Sequence, residues 1–91
     1  MSITVRMQSS LCHLTGGRNE IVCEAKDVAE CLNQLEKQYS GLKSKVCNEQ
    51  GEMLGSLNVY VNGDNIRYLQ GINTPLKNGD DITIIQALAG G

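Results

Sequence analysis

Apolar and polar residues alternate along four stretches of this chain, and a period of two is the signature of a half-buried β-strand. Residues 3–7 place Ile3, Val5 and Met7 on one face and Thr4 and Arg6 on the other. Residues 20–24 repeat the pattern with Ile21 and Cys23 inward, and residues 57–62 set Leu57, Val59 and Val61 against Asn58, Tyr60 and Asn62. Residues 81–85 carry Ile82 and Ile84 on one face, with Ile85 and Ala87 on the opposite one. A shorter stretch, Asn65-Ile66-Arg67-Tyr68, reads as a strand-like return. Between the second and third strands the period lengthens. Val28, Cys31, Leu32, Leu35 and Tyr39 recur at helical spacing and form one apolar stripe. Asp27 is an N-cap and Glu30, three residues on, completes a capping box. Lys37 near the far end suits the helix dipole. Gly41 supplies a left-handed C′ residue that stops the helix. Leu42 and Val46 then face inward on one further short turn.

The connections fit this order. Residues 8–18 link the first two strands, which pair as an antiparallel hairpin with a long loop; Leu11 and Leu14 fold over the core edge, and Gly16-Gly17 makes a turn. No Lys-Ser/Thr follows those glycines, as a P-loop would require. Residues 47–56 lack periodicity and read as an exposed loop, with Glu49 and Glu52 solvated. Asn62-Gly63-Asp64 is a tight-turn signal. Pro75 excludes a central strand around residues 74–76. Lys77-Asn78-Gly79-Asp80-Asp81 is a second turn, whose two acids are expected in solvent. The order β-β-α-β-β-β with one long amphipathic helix predicts an α+β fold: a mixed sheet of four to five strands with the helix on one face. With the first and last strands side by side, parallel and central, this is a β-grasp (ubiquitin-like) domain over residues 1–91, ending in a flexible tail at 87–91.

Composition narrows the function. Ninety-one residues supply one core. With 41% hydrophobic and 20% charged residues the chain is globular. It has no Phe or Trp, so the core is aliphatic. A net charge of -2 and three tyrosines argue against nucleic-acid binding, which wants a basic patch with stacking aromatics. No apolar run reaches the roughly 18 residues of a membrane span, and the alternating start is not a signal peptide, so a cytoplasmic location is expected. The four cysteines form no C-x-x-C pair and the chain has one histidine, so zinc spacings are absent and no metal site is expected. Free thiols are the expectation. Cys23 and Cys31 read as small core hydrophobes and Cys12 and Cys47 as exposed. His13 beside Cys12 lacks a third orienting group for nucleophilic catalysis.

The chain ends Ala87-Leu88-Ala89-Gly90-Gly91 directly after its last strand. Two glycines without Cβ atoms are thin enough to enter a narrow channel, so the ending alone admits two readings, a frayed terminus or a terminal carboxylate that reacts. Three segments together resemble the ubiquitin-like sulfur carriers of the ThiS/MoaD family: Val59-Tyr60-Val61-Asn62-Gly63-Asp64-Asn65-Ile66-Arg67, then Leu76-Lys77-Asn78-Gly79-Asp80-Asp81-Ile82-Thr83-Ile84-Ile85, then Ala89-Gly90-Gly91. Leu11-Cys12-His13-Leu14-Thr15-Gly16-Gly17 and Tyr39-Ser40-Gly41-Leu42 are similar to the branch that supplies sulfur for cysteine or related amino-acid synthesis. Thiazole carriers typically lack a loop as long as residues 47–56.

The resemblance implies a carrier and not an enzyme. An E1-like adenylyltransferase joins the Gly91 carboxylate to AMP from ATP, a sulfur donor displaces AMP, and the resulting thiocarboxylate delivers sulfide in an acceptor enzyme's site. The carrier itself binds no cofactor. Gly91 holds the acyl group, Gly90 permits close approach, Ala87 and Ala89 keep the tail slim, and Leu88 anchors it in a partner's pocket. Residues 86–91, if extended, reach about 20 Å. The partner surface is expected on the sheet face opposite the helix, at Tyr60 and Ile85, with Arg67 or Tyr68 beside them. The alternatives are a protein modifier forming isopeptide conjugates, a carrier for molybdopterin or thiazole synthesis, and a binding module with a passive tail.

Overall fold

The structure is a computed structural model that describes residues 2–52, 54 and 57–86. Five strands form one sheet: β1 (Ser2–Met7), β2 (Glu20–Glu24), β3 (Leu57–Val61), β4 (Asp64–Asn65) and β5 (Asp81–Gln86). Their spatial order is β2-β1-β5-β3-β4. β1 and β5 are parallel neighbours, in register from Thr4 opposite Asp81 to Met7 opposite Ile84. β5 also pairs antiparallel with β3, from Leu57 opposite Gln86 to Val61 opposite Ile82. β5 is therefore hydrogen-bonded on both edges, as the β-grasp reading predicts.

The period-two pattern decides which face closes. Ile3, Val5, Ile82, Ile84 and Val59 are all buried, and so are Val28, Cys31, Leu32 and Leu35 of the main helix α1 (Val28–Gln38). Burying each such aliphatic side chain contributes roughly 1.5–3 kcal/mol. Asp27 caps α1 by accepting from Glu30 N (2.8 Å). The reciprocal half of the box differs from expectation: Glu30 Oε1 accepts from Lys26 N (3.1 Å), one residue before the cap. Lys26 and Val28 are also fixed from the other side, because Leu76 N donates to Lys26 O and Val28 N donates to Thr74 O.

Several connections are more ordered than their sequence suggests. Residues Ser9–Thr15 wind as a 3-10 helix that buries Leu11 and Thr15. Thr15 closes it, its hydroxyl bonding Cys12 O and Arg18 O. The expected short turn after Gly41 is a helix, α2 (Leu42–Val46). Its first amides are capped from a distance: Glu36 of α1 accepts from Gly41 N and Lys43 N (both 2.9 Å). Those two amides hold the Glu36 carboxyl below the ordinary carboxylate range. The strand-like return is shorter than expected. Only Asp64–Asn65 pairs with β3, and Ile66–Tyr68 turns into a 3-10 helix once the Asn65 side chain accepts from Arg67 N.

Candidate functional site

The site is built around the two ends of β5. At its start, the two turns that carry the sequence resemblance form one clasp. Asn62 and Gly63 both take positive φ (51° and 91°), as a two-residue hairpin loop between β3 and β4 requires. That conformation aims the Asn62 side chain at the second turn. Its Nδ2 donates to Asp80 Oδ1 (3.0 Å), and its Oδ1 accepts from Asp81 N (3.0 Å). Asp80 Oδ2 also accepts from Lys77 N (2.7 Å). Asp80 is thus not the solvated acid expected from sequence: it is only 8% exposed. The Asn62 amide, then the Lys77 N–H, hold its carboxyl below the ordinary range. Backbone bonds from Thr4 N to Asp80 O and from Asn62 N to Asp81 O complete the entry into β5.

At the far end, Gln8 continues the ladder after β1 stops. Its N–H donates to Ile84 O (3.0 Å) and its side-chain Oε1 accepts from Gln86 N (2.6 Å). A side chain thereby replaces a strand partner at the last described residue before the tail. Beside it lies a recess of about 200 Å³ lined by Leu11, His13, Leu14, Lys45, Leu57 and Gln86. Gln8 and the polar rim of this recess escape sequence reading, because nothing local distinguishes a tethering glutamine from a loop glutamine.

The sheet face away from α1 carries partly exposed side chains among the described residues. Tyr60 lies opposite Thr83, which lies opposite Arg6, and Ile85 lies opposite Asn58. Tyr60 and Ile85, both half-buried, thus occupy that face together, as expected. Arg6 bonds Glu20 (2.8 Å) and approaches Asp81 (3.6 Å). Arg67 and Tyr68 lie beyond the strands. Arg67 Nη2 donates to Leu54 O (2.7 Å), and Tyr68 is 87% exposed. The remaining expected site residues, Ala87, Leu88, Ala89, Gly90 and Gly91, lie outside the described residues.

The cysteines divide differently from expectation. Cys23 and Cys31 are buried as predicted, but their sulfurs also meet, at 2.9 Å. Cys47 is buried and not exposed. It follows α2 immediately, and the chain folds back over it through a Leu54 N to Val46 O bond. Cys12 is half-buried, with its thiol towards Gln8 O (3.7 Å). Among the described residues no helix is long and apolar enough to cross a membrane.

The model of the ThiS family matches residues 5–91. The Mycobacterium tuberculosis sulfur carrier protein CysO is 30% identical over 93 residues, covering all of both chains. A chain of the Amycolatopsis orientalis BexX/CysO complex superposes with a TM-score of 0.87 at 31% identity, over 98% of this chain and 99% of that one. The small archaeal modifier protein 1 of Methanosarcina acetivorans gives 0.82 at 31% identity, over 99% and 96%.

Proposed function

The chain belongs to the ThiS family, and from that premise we propose that it is a sulfur carrier for amino-acid biosynthesis, cysteine foremost, whose Gly91 carboxylate is the group that turns over. The observation that carries the reading is β5. A central strand held on both edges and clasped at its start ends at Gln86, five residues before Gly91. A rigid strand feeding a slim, glycine-ended segment suits a chain that must deliver its last atom into another protein's site.

A carboxylate is a poor acyl donor because an oxide would have to leave. An E1-like partner removes this obstacle: the Gly91 carboxylate attacks the α-phosphorus of ATP, pyrophosphate leaves, and an acyl-adenylate forms. Sulfide adds to the acyl carbon, AMP leaves, and a thiocarboxylate remains. The soft, nucleophilic sulfur then attacks an electrophile in the acceptor enzyme. The carrier's own contribution is presentation, with Leu88 as anchor, Ala87, Ala89 and Gly90 as the slim neck, and Tyr60 and Ile85 as the docking face. The naming of one solved neighbour as part of a complex supports a protein partner for this fold.

The test is mass spectrometry after incubation with an E1-like adenylyltransferase of known activity, ATP and sulfide. A gain of about 16 Da, sulfur for oxygen, is expected on the C-terminal peptide and absent when Gly91 is deleted. An unmodified carboxylate under those conditions overturns the reading. The similarity to an archaeal modifier protein favours a second use, transfer of Gly91 to a lysine amine. Larger, isopeptide-linked species in cells mark that use, and only free protein marks the carrier.

A further inference from the structure

We propose that Cys23 and Cys31 are a redox-active dithiol, which a hydroperoxide converts into an intramolecular disulfide joining β2 to α1. The two sulfurs stand 2.9 Å apart, and a disulfide bond is about 2.05 Å long, so closure needs a shift of under about 1 Å. The scaffold holds them there. Cys23 is in phase on β2, and Cys31 lies one turn into α1. The Gln34 side chain bridges the same two elements, with Oε1 accepting from Glu24 N (3.1 Å) and Nε2 donating to Glu24 O. The Asp27 cap and the Leu76 N to Lys26 O bond fix the segment between them. The pair is therefore preorganised, and each thiol sees the other at high effective concentration. Among the described residues no third His, Cys, Asp or Glu joins them to make a metal-binding group.

The thiols are chemically unequal. Their hydrogen bond lowers Cys23 and raises Cys31 relative to an ordinary thiol. Cys23, on the edge strand and the more exposed of the two, is the thiol that peroxide reaches first, and its thiolate is the nucleophile. It attacks one peroxide oxygen; the O–O bond breaks, Cys23 becomes a sulfenic acid, and hydroxide leaves. The Cys31 sulfur then attacks the Cys23 sulfur. The S–O bond breaks, and the departing hydroxide takes the Cys31 proton and leaves as water. In sum, two thiols and one hydrogen peroxide give one disulfide and two waters. Both residues are buried (5% and 1% exposed), so the peroxide enters when β2, an edge strand paired only with β1, opens locally. Burial makes this site slower than half-buried Cys12, but only this pair has a resolving thiol in contact.

The experiment uses the reduced full chain and hydrogen peroxide. After treatment the protein is alkylated in denaturant, digested with trypsin and analysed by mass spectrometry. The expected product is a crosslink between the peptides of residues 19–26 and 27–37, with a mass loss of about 2 Da from the intact Cys12→Ser/Cys47→Ser variant. The nine-residue ring should raise the thermal midpoint by about 10 °C, reversibly with dithiothreitol. A crosslink through Cys12 or Cys47 overturns the proposal. So does recovery of Cys23 and Cys31 as free thiols after Cys12 is fully oxidised.

Discussion

At the scale of single residues, the junction between Asn62 and Asp80 has the largest consequences. Two side chains 18 positions apart share a charge-assisted hydrogen bond that joins both turns. Such a bond is worth about 1.5–3 kcal/mol. Asn62→Gly keeps the positive φ and removes the side chain with both its bonds, to Asp80 and from Asp81 N, so it should lower unfolding stability by at least that amount in urea. Asn62→Ala should cost about 1 kcal/mol more, because alanine is strained at φ 51°. The acid behaviour follows from the same carboxyl. Asp80 titrates below its unfolded value, so its stabilisation is complete above about pH 4 and is lost as pH falls through the lower folded value. Asp80→Asn should remove that part of the acid slope, measured as urea midpoints between pH 2 and 6. The clasp also marks the limit of sequence reading. Asn62-Gly63 and Gly79-Asp80 are legible as turns because turn chemistry is local. That the first turn's amide donates to the second turn's carboxylate is a tertiary fact, which is why Asp80 reads as solvated.

At the scale of elements, β1, β2, β3, β5 and α1 are legible because each carries an unbroken period over five or more residues. α2 is legible as a short turn with Leu42 and Val46 inward, but its capping and the 3-10 helices are not, because those hydrogen bonds are supplied from elsewhere: Glu36 caps α2, Asn65 turns the chain after β4, and Thr15 closes the segment after β1. Cys47 is misplaced for a similar reason, since its burial depends on the chain folding back through the Leu54 N to Val46 O bond, which no local pattern announces. The exit of β5 depends on a comparable loan from Gln8. Gln8→Ala should leave global stability within about 1 kcal/mol of the parent, the worth of one net hydrogen bond. The Gln86 amide should then exchange with solvent faster, while Ile84 and the amides before it stay protected. Unchanged exchange at Gln86 would show that the strand holds its end without the glutamine.

At the scale of the whole molecule, the sheet separates two tasks between its faces. One face packs α1 and carries stability; the other presents, among the described residues, Ile85 beside Gln86, Tyr60 opposite Thr83, and Val22, 62% exposed, level with the start of β5. Ile85→Asp should weaken capture by the activating partner by about thirtyfold or more, the loss expected of a central apolar contact. Its urea midpoint should fall only modestly, because the side chain is half-buried and lies outside the core. Val22→Asp places the same charge on the same face about 13 Å further from the exit, at roughly 3.3 Å per residue, and should bind nearly as the parent does. Equal losses from both variants would mean that charge, and not the Ile85 contact, governs docking. The parallel pairing of β1 and β5 has a practical consequence. Ser2 is bonded to Asn78 and Gly79 beside the clasp, whereas Gln86 lies at the opposite end of the sheet, about 20 Å away at the rise of a six-residue strand. A handle fused ahead of Ser2 is therefore attached at the pole opposite Gln86, so the protein immobilised through it on a bead or sensor chip leaves the Gln86 end of the sheet clear for whatever partner flows past.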